Sequence, residues 1–147
     1  MKEKTMLHRV GTLLAVGMCL GLASPSTASA EPGSIAIELN KVEAVPTGCR
    51  LHFDVHNSTA MKFNVLSADL VFFDSDGVMS SRSLVSFGRL HPHKHHFNSW
   101  EFPAVDCLKV SRILVNGLQQ CQHDGDESFD CLSALSTSHK GAIELVK

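Results

Sequence analysis

The sequence lacks the local motifs by which many enzymes are recognised. It contains no G-x-S-x-G, no H-E-x-x-H and no glycine-rich phosphate-binding loop. Each of these motifs places reactive groups at a fixed spacing, so without them no set of residues predicts catalysis. A Ser-His-Asp set assembled from distant residues would leave no spacing signal to detect. We therefore expect a protein that is not an enzyme and that has no cofactor.

The chain also lacks an apolar stretch of the about 18 residues that a membrane-spanning helix needs. Its longest apolar run, residues 10–23, follows three basic residues and precedes an A-x-A pattern that ends at Ala30. This order predicts a secretory signal peptide, residues 1–30, cleaved after Ala30. We expect a single domain, residues 31–147, that is periplasmic or secreted and not inserted in a membrane.

Positive charge is not in excess. Lys and Arg number 13 against 15 Asp and Glu, for a formal net charge of −2. The predicted signal peptide is basic, so residues 31–147 are more acidic than the whole chain. This balance argues against nucleic acid or anionic lipid as the main partner. We expect a partner of unknown identity, with another envelope protein as one candidate.

Four cysteines follow the predicted signal peptide: Cys49, Cys107, Cys121 and Cys131. An even number in an exported chain indicates two disulfides, for which sequence allows three connectivities. We favour Cys49–Cys107 with Cys121–Cys131, because the second pair brackets a polar loop while the first pair flanks predicted strands. A zinc site is the alternative, and it lacks the C-x-x-C spacing typical of such sites.

Apolar and polar residues alternate with a period of two along most of the domain, which indicates half-buried strands. Seven strands are predicted, at residues 35–42, 49–56, 64–74, 78–87, 97–102, 110–117 and 141–146. D-S-D-G (74–77) predicts a hairpin turn, and residues 128–135 predict a helix of about two turns. Together they predict an all-β, immunoglobulin-like antiparallel β-sandwich of about seven strands with one short helix near the C-terminus.

A family resemblance rests on D-L-V-F-F-D-S-D-G-V (69–78) and on V-H-N-S-T (55–59). On these segments the chain resembles the F-x-L-Y-D-type domains of exported bacterial proteins. It resembles more closely a family of small exported proteobacterial proteins of unassigned activity, through residues 39–43, 48–50, 69–78, 100–107 and 112–116 and the cysteines at 121 and 131. The resemblance implies the sandwich fold and the disulfides, and it implies no catalytic or binding residue.

The strand at 49–56 provides the main candidate for a partner-binding face. Its inward residues are predicted to be Cys49, Leu51, Phe53 and Val55, and its outward residues Arg50, His52, Asp54 and His56. Two interpretations stay open for the outward set: a partner face with some pH sensitivity, and a solvated polar face. The loop 121–131, with Asp124, Asp126, Glu127 and Asp130, is the second candidate. Its residue order is not that of an EF-hand.

The segment R-L-H-P-H-K-H-H-F-N (89–98) contains His91, His93, His95 and His96. Imidazole is a common ligand of copper, zinc and nickel, so these histidines give an alternative function, periplasmic metal binding. We interpret the segment instead as a turn and strand entry whose geometry Pro92 helps to fix. If the strand includes both His93 and His95, they share one face, and the alternative then requires a third ligand nearby.

Overall fold

The computed structural model describes residues 33–125 and 128–147, so the predicted signal peptide lies outside the described residues. Eight strands are present: β1 (Ile35–Val45), β2 (Gly48–Asn57), β3 (Phe63–Asp74), β4 (Met79–Leu90), β5 (Lys94–Phe102), β6 (Val110–His123), β7 (Leu135–His139) and β8 (Glu144–Val146). Within the described ranges, no helix has the length and apolar character needed to cross a membrane.

The strands form two four-stranded sheets. The first sheet has the order β5-β2-β1-β7 and the second the order β4-β3-β6-β8. The contacts of β1 with β7 and of β6 with β8 are parallel, and the others are antiparallel. Apolar side chains from both sheets meet in one buried cluster, with Phe53, Phe63 and Phe72 among its largest members. The predicted all-β fold is therefore confirmed, with two four-stranded sheets packed on one core in a sandwich-like arrangement.

All seven predicted strands are found, although the last is shorter than predicted. The segment predicted as a helix, residues 128–135, is not helical, and an eighth strand, β7, begins at its last residue. Residues 131–134 form turns, and β7 begins at Leu135. The amide of Ala134 donates to the carbonyl of Asp130, which is one helical turn that does not continue. It stops because Leu135 enters the sheet opposite Ile35, where its side chain is buried in the core. The prediction of a short C-terminal helix was wrong, since pairing with β1 outweighs local helix preference.

Both disulfides have the predicted connectivity. Cys49, at the start of β2, is bonded to Cys107 in the segment between β5 and β6. Cys121, in β6, is bonded to Cys131 at the beginning of the turns before β7. Next to Cys49, the backbone at residue 48 lies so close to Phe102 that only glycine fits, because a Cβ at Gly48 would lie 2.4 Å from the carbonyl oxygen of Phe102.

The turns at one end of the sandwich are joined through Asn57, which is fully buried. Its Nδ2 donates to the carbonyl oxygens of Met61, at 2.8 Å, and His91, at 3.1 Å. Its Oδ1 accepts from the amide and the hydroxyl of Thr59, at 3.0 and 2.7 Å. The N-S-T turn after β2 therefore holds the turn between β4 and β5, where the histidine segment begins.

Asp69 is a second buried polar residue, located on the outer side of β3 with 1% of its surface exposed. Arg82 of β4 donates to both carboxylate oxygens, from Nε at 2.8 Å and from Nη2 at 2.6 Å. Asn116 of β6 donates to Oδ2 at 2.7 Å. These hydrogen bonds, first among them that from Arg82, lower the pKa of Asp69 below its ordinary value. The buried carboxylate thus joins three adjacent strands of the second sheet, β4, β3 and β6.

Candidate functional site

The outer face of the first sheet brings the predicted partner face together with residues of the two neighbouring strands. Alternation along β2 buries Cys49, Leu51, Phe53 and Val55 in the core, as predicted. The residues between them, Arg50, His52, Asp54 and His56, are half-buried on the opposite side. In register, Arg50 lies between Glu43 of β1 and Glu101 of β5. We call this outer surface of β1, β2 and β5 the polar face.

Arg50 is held between two carboxylates. Its Nε donates to Glu101 Oε1 at 3.0 Å and its Nη2 donates to the same oxygen, while its Nη1 donates to Glu43 Oε2 at 3.4 Å. The hydrogen bond from Arg50 lowers the pKa of Glu101, and the same bond raises the pKa of Arg50. Planar guanidinium groups suit such multiple contacts with carboxylates. The positive charge is therefore fixed in position and partly neutralised.

His52 continues the network toward the middle of the sheet. Its Nε2 lies 3.2 Å from Glu43 Oε2, and its Nδ1 lies 2.7 Å from the hydroxyl of Ser99 on β5. Because an ionised carboxylate only accepts hydrogen bonds, Nε2 carries a proton, and Nδ1 of a neutral imidazole would then accept from Ser99. The hydrogen bond with His52 is the main cause of a lowered pKa for Glu43. The imidazole thus links β1, β2 and β5.

Asp54 and His56 meet His95 of β5 at the other end of the polar face. His95 Nδ1 lies 3.0 Å from both carboxylate oxygens of Asp54, so the same argument assigns the proton to Nδ1. The rings of His56 and His95, which are opposite in register, stack with centroids 4.1 Å apart. In neutral His95 this arrangement leaves the lone pair on Nε2, which can accept a hydrogen bond or bind a metal ion.

The four histidines of the segment 89–98 do not act as one group. His91 and His93 belong to the turn, where His93 has a φ of 54°, and β5 begins only at Lys94. His95 lies on the polar face, whereas His96 is on the inner side, with its ring 6.1 Å from that of His91. The condition that one strand includes both His93 and His95 is not met, because the Pro92–His93 turn precedes β5.

Metal binding by this segment therefore has little geometric support. Within residues 33–125 and 128–147, no three His, Cys, Asp or Glu side chains converge as a metal site. His95 has Asp54 and His56 as neighbours, but its ring lies flat against His56 instead of pointing with it at a common centre. Two stacked imidazoles do not make the three or four converging ligands that zinc prefers.

In the loop 121–131, the described acidic residues Asp124 and Asp130 form hydrogen bonds with other groups of the chain. Asp124 accepts from Asn64 Nδ2 at 2.7 Å and lies 3.4 Å from the Lys62 ammonium group. Asp130 accepts from the amides of Leu132 and Ser133. Asp126 and Glu127 lie outside the described residues. The described carboxylates of the loop thus hydrogen-bond or pair with groups of the same chain.

A cavity of about 770 Å³ lies apart from the histidine network, beside the turns that precede β7. Its walls include Met61 and Phe129 and the serine residues 34, 133 and 136. Asp130, the one carboxylate among the described lining residues, accepts hydrogen bonds from the amide and the hydroxyl of Ser133. The described lining of the cavity is therefore mainly apolar walls and hydroxyl groups.

The residues of the polar face that hydrogen-bond to Arg50 and His52, which are Glu43, Ser99 and Glu101, were not predicted from the sequence. The alternation of 97–102 assigns Ser99 and Glu101 to one face, so a signal was present. What was missing was the pairing of β5 with β2, which local patterns do not specify.

Comparisons with protein-family models, curated proteins and solved structures find no match to this chain.

Proposed function

We propose that the protein is an exported, non-enzymatic binding module that recognises a protein partner through the polar face. The observation that carries this proposal is that charged side chains from three adjacent strands hold one another in position before any partner binds. Arg50 is fixed by two glutamates, His52 by Glu43 and Ser99, and His95 by Asp54.

Pre-ordered side chains favour binding because less conformational entropy is lost when the complex forms. Charges of both signs alternate over short distances on the polar face, so a partner must match their positions as well as their sum. A flat strand surface also suits a protein surface better than a small molecule, which needs a concave site.

The two disulfides support an oxidising compartment for this function, and with the signal-like N-terminal sequence we assign the periplasm or the extracellular space. We further propose an immunoglobulin-like arrangement. Supporting this, β2 lies between β1 and β5, as strand B lies between strands A and E, and β3 lies beside β6, as C lies beside F. The disulfide from β2 departs from that pattern, because Cys107 precedes β6.

The resemblance to exported F-x-L-Y-D-type domains is also offered as a proposal. In the two segments on which this resemblance rests, two residues stabilise turns, which supports a similarity of fold. Asn57 holds two turns together, and Asp74 Oδ1 accepts from the amides of Asp76 and Val78 in the hairpin turn. Such a likeness would imply the fold without a shared ligand.

A photo-crosslinking amino acid placed on the polar face tests the proposal in the native host. Position 41 suits this purpose, because Lys41 lies opposite His52 on β1 and its side chain is 60% exposed. The matched control is position 86, because Ser86 is exposed on β4 of the second sheet. We expect a discrete adduct with another protein from position 41 and none from position 86.

A second variant connects the adduct with the network. Arg50→Ala, combined with the crosslinker at position 41, should reduce the yield of adduct, whereas Arg89→Ala, which removes an exposed arginine from β4, should not. Equal adducts from positions 41 and 86, or an adduct that does not respond to Arg50→Ala, would contradict recognition through the polar face.

A further inference from the structure

Strand β5 ends the first sheet with one side unpaired. It is bonded to β2 along all nine of its residues, Lys94–Phe102, and among the described residues no strand lies on its other side. A long edge strand exposes backbone N–H and C=O groups that can pair with another strand. Edge strands β7 and β8 are shorter, and β4 contains two irregularities in its pairing with β3 near Leu66.

Two polar atoms of β5 have no partner within the part of the chain that the structure describes. Asn98 Nδ2 and Trp100 Nε1 are shielded from water and make no hydrogen bond. Both residues are opposite inward residues of β2, Phe53 and Leu51, so they lie on the inner side of the edge strand. Leaving a buried donor unpaired costs about 1–3 kcal/mol. An acceptor brought in beside β5 would remove this cost.

We propose that the protein forms a two-fold symmetric dimer in which β5 pairs antiparallel with β5 of a second copy. The register is centred on Asn98, the middle residue of the strand, so that all nine residues take part. The pairing joins the first sheets of the two copies into one eight-stranded sheet. It also places the polar faces of both copies on the same side.

The inner side of β5 is complementary to itself in this register. Asn98 faces Asn98 of the second copy, and an amide supplies both a donor and an acceptor. Trp100 faces His96 of the second copy, and a neutral imidazole supplies the acceptor that an indole N–H needs. Directly opposite residues have Cβ atoms about 5 Å apart, which is within reach of these groups. Both unpartnered donors thus gain an acceptor from the same pairing.

The outer side of β5 adds an apolar contact in the same register. His95 faces Glu101 of the second copy, so the Asp54–His95 pair of one copy meets the Arg50–Glu101 pair of the other. Phe97, which is 66% exposed, becomes the diagonal neighbour of its own counterpart. Diagonal neighbours lie about 7–8 Å apart, which aromatic rings can bridge. The apolar contact of Phe97 with its counterpart thus favours a second copy over an unrelated extended peptide.

Sedimentation velocity of the purified, disulfide-bonded protein over a range of concentrations tests the dimer. We expect the mass to double with increasing concentration, and Phe97→Lys to give a monomer at every concentration. Leu84→Lys is the matched control, because Leu84 is 65% exposed on the second sheet, and this variant should still dimerise. A wild-type protein that stays monomeric at about 100 µM would overturn the proposal, because the dissociation constant of the dimer would then lie above that concentration.

Single cysteines test the register. Asn98→Cys lies on the two-fold axis and should form an intermolecular disulfide under mild oxidation. Lys94→Cys should not, because residue 94 faces residue 102 and the two introduced thiols would be about 26 Å apart at 3.3 Å per residue. Crosslinking at 94 but not at 98, or dissociation by Leu84→Lys instead of Phe97→Lys, would show a different interface. The emission of Trp100, the one tryptophan of the chain, should shift when the wild-type protein is diluted.

Discussion

The Asn57 side chain hydrogen-bonds both the turn after β2 and the turn before β5. Asn57→Ala would leave two backbone carbonyls, those of Met61 and His91, without their donor in a buried region. We expect a loss of about 3 kcal/mol in the free energy of unfolding, measured by urea denaturation. Asn40→Ala is the control, because the Asn40 amide bonds the Glu38 carboxylate at the surface; a similar loss there would contradict the special role of Asn57.

Asp69 should make stability depend on acid pH. Its pKa in the folded protein is lowered, so its stabilisation is fully present above its ordinary pKa of 3.8 and is lost as the pH falls through the lowered value. Asp69→Asn should be less stable at neutral pH and should lose less further stability below about pH 4 than the wild type. Thermal unfolding at several pH values measures this. The exposed carboxylate variant Asp76→Asn should retain the wild-type pH profile, and an unchanged profile in Asp69→Asn would contradict the prediction.

The separation of the histidines onto two sides of β5 predicts weak metal binding. In calorimetric titrations with Cu(II) and Zn(II), we expect no stoichiometric binding tighter than about micromolar, because His95 and His96 lie on opposite sides of the strand. The comparison protein carries alanine at positions 91, 93, 95 and 96. Tight binding that disappears in this variant would restore metal binding as the function.

At the level of single elements, the turn between β4 and β5 is held in a conformation that does not suit histidine. His93 has a φ of 54°, a region that costs residues with a Cβ free energy and costs glycine little. His93→Gly should therefore raise the free energy of unfolding by about 0.5 kcal/mol, despite the greater freedom of glycine in the unfolded chain. Lys94→Gly, one residue later in the strand, should lower it. If both variants lose stability equally, the conformation of His93 is not the cause.

The strands show which elements could be predicted from the sequence. In β2 the alternation from Cys49 to His56 specified both faces correctly, because one side is buried in the core and the other is not. Strand β7, L-S-T-S-H, carries no such signal; it exists because β1 offers an edge for parallel pairing. The outward residues of β2 could be predicted from alternation along one strand, whereas Glu43 and Glu101 were missed because they lie on the neighbouring strands. Alternation specifies the face of a side chain, but strand pairing specifies its neighbours.

At the scale of the whole molecule, the two disulfides constrain the unfolded chain to different extents. Cys49 and Cys107 are 58 residues apart, and Cys121 and Cys131 are 10 apart. Chain entropy then predicts contributions of about 4 and about 3 kcal/mol. Burial adds to the difference, because Cys49 belongs to the core and Cys121 packs at its edge. The variant Cys49→Ala/Cys107→Ala should consequently unfold at a lower urea concentration than Cys121→Ala/Cys131→Ala. The reverse order would mean that holding the turns before β7 against β6 matters more to stability than closing the longer loop across the sandwich.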